Sequence, residues 1–270
     1  MSAVLELPRT RPTSIGFGNV IRSEWTKLRS VRSTYWTGAV AVLATVALGV
    51  AICLRWAHLF NTHQELVDGF DVTLTSLNGI YLAQVAIGTL GVLVISSEYG
   101  TGMIRATLGA VPQRRVMLAA KGVVFAGCTF VVGEILTFVT FGVGQAILGS
   151  AHVGASLGDP GVLRAVFGAG LYLTAVGMLG FGLGALIRHT AGALSAFFGL
   201  LFASSAVVDL LPTTWRNDVI KYMPANAGSQ IFTVIPSHDA LAPWTGLGVF
   251  CLYAVAAITA AAILIVRRDA

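Results

Sequence analysis

The sequence predicts an all-α, polytopic membrane protein with six transmembrane helices. An amphipathic helix precedes the first span, and a short helix lies in one connection. Three observations lead there. Apolar residues fill 56% of the 270 positions and charged residues only 11%, against about 25% charge in an ordinary globular domain. Mean hydropathy is +0.81, so a soluble chain of this composition would lack the polar surface that keeps a protein dissolved. The few charges are also spaced so that long neutral runs separate them. Disordered chains, fibrous repeats and disulfide-stapled secreted domains do not share this composition.

The runs predict helices because lipid offers no partner for a backbone N–H or C=O. A helix needs roughly 20 apolar residues to cross a hydrocarbon layer about 30 Å thick. A lipid-facing barrel would alternate apolar and polar residues, and these runs do not. The predicted spans are 36–54, 78–95, 119–148, 166–187, 192–210 and 244–266, which together make a transmembrane domain over 36–266. The third is long enough to tilt or to project beyond the bilayer. Residues 1–16 read as a flexible arm and 267–270 as a tail.

Six spans place both termini on one side, and lysine and arginine choose the side. All of these residues except Arg55, Arg164, Arg216 and Lys221 fall in the amino-terminal arm, the second-to-third connection, the fourth-to-fifth connection or the tail. The opposite face carries Glu65, Asp68, Asp71, Asp159, Asp209, Asp218 and Asp239. The positive-inside rule therefore predicts a multi-pass protein of the cell membrane with both termini in the cytoplasm. The net charge of +5 calls for no nucleic acid, because anionic membrane lipids are partner enough. No cleavable signal peptide is expected, since the first apolar run starts near Tyr35, after a charged leader. Trp36 suits the inner interface, and Trp215, Tyr222 and Trp244 the outer one.

Residues 17–35 read as the amphipathic helix. Phe17, Ile21, Trp25, Leu28 and Val31 recur at three- and four-residue steps, while Arg22, Lys27, Arg29 and Arg32 lie elsewhere on the helix. Such a segment lies in the headgroup plane with its apolar stripe buried and its bases on phosphates. It can also meet a cytoplasmic partner.

The second distinctive stretch is 98–115. Glu98 and Tyr99 precede Gly100, Thr101 and Gly102, whose glycines permit a sharp turn at the end of the second span. Thr101 is placed to cap a short helix through Leu108 that carries Arg105, and Pro112 discourages its continuation before Arg114 and Arg115. These residues serve either as an ordinary basic inner loop or as a docking element. They are not a phosphate loop, because the lysine of that motif is missing.

In the leader 23–35 and the loop 98–115 the sequence resembles the membrane-spanning permease of ABC-2 type exporters, and most closely the actinobacterial members. The resemblance implies a connector helix over 22–32 and a coupling region over 99–115 that docks on a separate ABC ATPase. It further implies ATP and magnesium bound by that ATPase dimer, no cofactor or catalytic residue in this chain, and a homodimer or heterodimer of permease subunits. The family also has a partly re-entrant hairpin between the last two spans. Here 211–243 is long enough for one, and four prolines would break it into short pieces.

Inside the spans, Glu134 is costly to place in lipid and should face the bundle, a cavity or a subunit interface. An internal hydrogen bond is the plain expectation, and a substrate pathway or proton-linked role the alternative. Gly180 and Gly184 form a small-xxx-small pair suited to close helix packing. Cys53, Cys128 and Cys251 stand singly and read as small buried hydrophobes. His58, His63, His152, His189 and His238 form no paired-ligand motif, which weakens a membrane enzyme. A secondary transporter or channel would need broken helices, a repeat or more intramembrane charge than Glu134 alone. A non-transporting anchor or sensor needs only a partner surface.

Overall fold

A computed structural model describes residues 16–30, 32–62, 69–103, 113–235 and 239–267. Every regular element among them is helical. Six helices are long and apolar enough to cross a membrane: Gly38–Thr62, Ile80–Gly100, Arg114–Gly149, Val162–Ile187, Thr190–Val208 and Pro243–Arg267. The shortest has 19 residues and the longest 36, or about 28 and 54 Å at 1.5 Å per residue. The third span therefore exceeds the hydrocarbon thickness, and its first turns stand among the leader residues at one end of the bundle. The arm 1–15 and the tail 268–270 lie outside the described residues.

Several helices outrun their apolar stretches. The first long helix, Arg32–Thr62, continues past Leu54, because Ala57 and Phe60 pack there on Leu148, Ala151 and Val153. Trp56 stacks on Phe60 at a centroid distance of 5.6 Å and Phe70 meets the same ring edge-on at 4.9 Å. Packing, not hydropathy, sets where this helix ends.

The fourth span is the centre. Buried residues make up 72% of its core window, against 17% for the first span and 22% for the fifth, so those two are peripheral. It packs on the second, third and sixth spans. The contact with the second span is made by backbones. A Cβ on Gly180 would collide with the Gly88 carbonyl, and one on Gly184 would lie 2.7 Å from the Val92 carbonyl oxygen. Gly91 meets Gly177 in the same way. Small residues let two helices approach this closely and exchange dispersion contacts in lipid, where no hydrophobic driving force between helices exists. One buried polar pair crosses the same region, with Tyr172 donating to Gln84 Oε1 at 2.6 Å.

The fifth span starts immediately after the fourth. Arg188 adopts a left-handed conformation, φ 61°, and the His189 ring caps the new helix by accepting from the Gly192 amide at 3.3 Å. A π-helical turn, Gly199–Ala203, interrupts it before Ser204–Val208.

Beyond it the chain folds back among the spans. Helices Thr213–Ile220 and Pro224–Ser229 lead to a 3₁₀ turn, Gln230–Phe232, in which Ile231 and Phe232 are fully buried. The Phe232 ring lies 5.3 Å from Tyr172, and Tyr172 lies 5.2 Å from Phe250 of the sixth span. Polar groups fix this return. The Arg164 guanidinium donates to the Ile231 carbonyl at 2.8 Å and the Thr233 carbonyl at 3.0 Å. Asp71 Oδ2 accepts from the amides of Val234 and Ile235 at 2.7 and 3.0 Å, while its Oδ1 caps Leu74 at 2.8 Å. Trp36, Trp215, Tyr222 and Trp244 are all exposed.

Candidate functional site: an ionic cluster under the leader helix

The leader helix, Phe17–Ser30, rests on the third span. Its bundle-facing residues are Val20 and Glu24, 2% and 3% exposed, one turn apart. Phe17 and Trp25 of the apolar stripe face away from the bundle, 45% and 50% exposed, which leaves them for the lipid in which the stripe is expected to bury, and Ile21 is half-buried. The face inward to the bundle carries an acid. An acid tolerates burial only when paired, and Glu24 is paired twice.

Lys121, two turns into the third span, places its Nζ 2.6 Å from Glu24 Oε2 and 2.7 Å from Glu98 Oε1. Lys27 reaches Glu24 Oε1 at 2.6 Å and stands 4.0 Å from Glu98 Oε1. Two acids and two bases cancel. Glu24, Glu98 and Lys121 are all buried. Burial alone would raise the Glu24 carboxyl, but the hydrogen bonds and charges of Lys121 and Lys27 overcome it and hold that group below its ordinary value. The second oxygen of Glu98 has no hydrogen-bond partner among the described residues.

A second layer surrounds the cluster. The Arg188 guanidinium lies over the Tyr99 ring at 5.2 Å, and Tyr99 packs against Met117 and Ile265. Arg114 donates to the Ile265 carbonyl at 3.1 Å and Arg188 to the Leu264 carbonyl at 3.4 Å. Both cations thereby occupy the negative end of the sixth helix. Thr190 donates to Ser96 Oγ at 3.0 Å. The leader and the ends of five spans are joined at this one end of the molecule.

The residues singled out in the sequence divide accordingly. Glu98, Tyr99, Lys27 and Arg114 belong to the assembly. Gly100 faces open space, and Gly102 takes the left-handed conformation, φ 73°, that turns the chain. The short helix that Thr101 is expected to cap runs into 104–112, outside the described residues. Thr101 closes the second span: its amide and its Oγ1 both donate to the Ser97 carbonyl, at 3.0 and 2.8 Å. Arg105 and the rest of 104–112 lie outside the described residues, as do the side chains of Leu28, Arg29 and Arg32. Arg115 points to an apolar groove instead of the cluster.

Glu134 faces the bundle at the fourth span, with its carboxyl filling the space a Cβ on Gly170 would take. The expected internal hydrogen bond is not there: neither oxygen has a partner among the described residues. Cys53 is buried, and none of the three described cysteines is in a disulfide.

Sequence reasoning assigned no role to Glu24 or Lys121. The available signal was an acid inside a basic leader and a lysine inside an apolar run. Each alone reads as an interfacial charge, and only the fold brings them together.

No family model matches this sequence, and no curated protein is significantly similar to it. The chain is a polytopic all-α membrane protein, six of whose helices are long and apolar enough to span a bilayer.

Proposed function

We propose that this chain is the membrane-spanning permease subunit of an ATP-driven, ABC-2 type exporter, with both termini in the cytoplasm. ATP and magnesium are bound by a separate cytoplasmic ATPase dimer, and two permease subunits, alike or different, enclose the pathway. The resemblance in 23–35 and 98–115 and the clustering of basic residues at the leader end support this reading.

The observation that carries it is Lys121 bridging Glu24 and Glu98. Glu98 lies just before the 99–115 loop and Lys121 just after it, so both flanks of the loop are tied to the leader. In this reading an ATPase pressing on the loop moves the leader and the second and third spans together. The glycine-packed contact then carries that motion to the fourth span, because backbones in direct contact cannot slide independently.

Charge reversal at Arg105 tests the docking. It should lower transport-linked ATP hydrolysis several-fold at matched amounts of assembled complex, while membrane insertion stays intact. Copurification of a soluble ATPase with the chain is the companion measurement. Unchanged coupled hydrolysis overturns docking through this loop.

A further inference from the structure

A groove of about 290 Å³ runs along the outside of the third, fourth and sixth spans at the leader end. Gly122 and Ala126 of the third span, Met178 and Phe181 of the fourth and Ile258 of the sixth are among the residues that line it, and its one charged lining residue is Arg115. Gly122 keeps the floor open: a Cβ there would rest 3.4 Å from the Phe181 ring and 3.7 Å from Met178 Cε. Among the described residues no acid pairs with Arg115.

We infer that this groove is a binding site for an anionic phospholipid, with one acyl chain in the groove and the headgroup phosphate on Arg115. Three features select that occupant. Arg115 to Ala126 spans eleven residues of helix, about 16 Å, which matches one leaflet of a hydrocarbon layer about 30 Å thick. The walls are apolar, so they satisfy an alkyl chain and offer nothing to a polar solute. The cation stands at the groove's end on the same side as the leader helix, at the second residue of the third span, and its fork of donors suits phosphate oxygens. The inference requires only that the six helices cross lipid, and it stands or falls separately from the exporter reading.

The test uses the full chain in phosphatidylcholine nanodiscs doped with phosphatidylglycerol carrying a photoreactive acyl chain, with labelled peptides mapped by mass spectrometry. Label should fall on 118–126, 178–181 and the facing turn of the sixth span. Arg115→Ala should reduce it roughly fivefold, the worth of one cation at an anionic surface, and Arg115→Lys should restore most of it. A photoreactive phosphatidylcholine should label no better than phosphatidylglycerol labels Arg115→Ala. Ala126→Phe, which fills the groove without touching the cation, should abolish labelling while elution and thermal stability stay unchanged. Equal labelling by both lipids, insensitive to both substitutions, overturns the site. So does chain-to-chain cross-linking through the same residues, which would give the groove to a second copy.

Discussion

The two ends of this molecule hold extra chain against the bundle by different means. At the leader end, charged side chains grip one another: Lys121 and Lys27 against Glu24 and Glu98. At the opposite end, charged side chains grip backbone: Arg164 holds two carbonyls and Asp71 two amides of the returning segment. A side-chain lattice can exchange partners without unfolding any helix. Backbone groups have fixed positions, so a clamp upon them is all or nothing. The first suits a joint that changes state, and the second a cover that stays in place.

The largest way to break this contrast is Lys121→Ala. It leaves the buried Glu24 and Glu98 with only Lys27, 2.6 and 4.0 Å away, and should cost about 3–5 kcal/mol, as removal of one member of a buried ion pair does. The readout is the melting temperature in detergent. Replacing Glu24 and Glu98 by glutamine in the same chain should recover most of the loss, since the uncompensated charge is then gone. Failure of that rescue would mean the lysine acts through packing alone.

Asp71→Ala should do less, about 1–3 kcal/mol, by leaving the amides of Leu74, Val234 and Ile235 without their acceptor. Its local signature is more telling. A cysteine placed at Thr233 should become labelled faster in Asp71→Ala than in the parent, while a cysteine at Val20 should not change. Equal acceleration at both would erase the distinction between the ends.

The smallest effect sharpens the leader end alone. Glu24, faced by Lys121, Lys27 and Glu98, has a folded-state carboxyl held below its ordinary value of 4.5. The stability it contributes is present above that value and is lost as pH falls through the lowered one. The stability gap between the parent and Glu24→Gln should therefore be constant near neutrality and close below about pH 4.5. A gap that persists under stronger acid would assign the difference to shape and not to charge.

How much of this was legible depends on which residues are asked. The six spans were, since each is a local run and lipid forces every such run into a helix. Gly180 and Gly184 were, because their spacing alone puts them on one helix face. Thr101 was legible in part: a threonine between two glycines suits a helix end, and it donates to the Ser97 carbonyl where the second span closes, while the helix it is expected to open lies outside the described residues. The leader's apolar stripe was visible, with Phe17 and Trp25 on the outward side, but that Val20 and Glu24 meet protein was not, since a helical wheel does not show what lies against its other face.

The sequence by itself determined the six apolar spans and the end at which the positive charges gather, because these follow from how single residues partition between water and hydrocarbon. Only the tertiary structure decided that Glu24 turns inward to Lys121, that Arg164 and Asp71 secure the returning segment, and that Glu134 rests on Gly170 without a partner. Each of those brings together residues far apart in the sequence, and a buried polar group takes its energy from the neighbour it meets, whose identity no local stretch of chain contains.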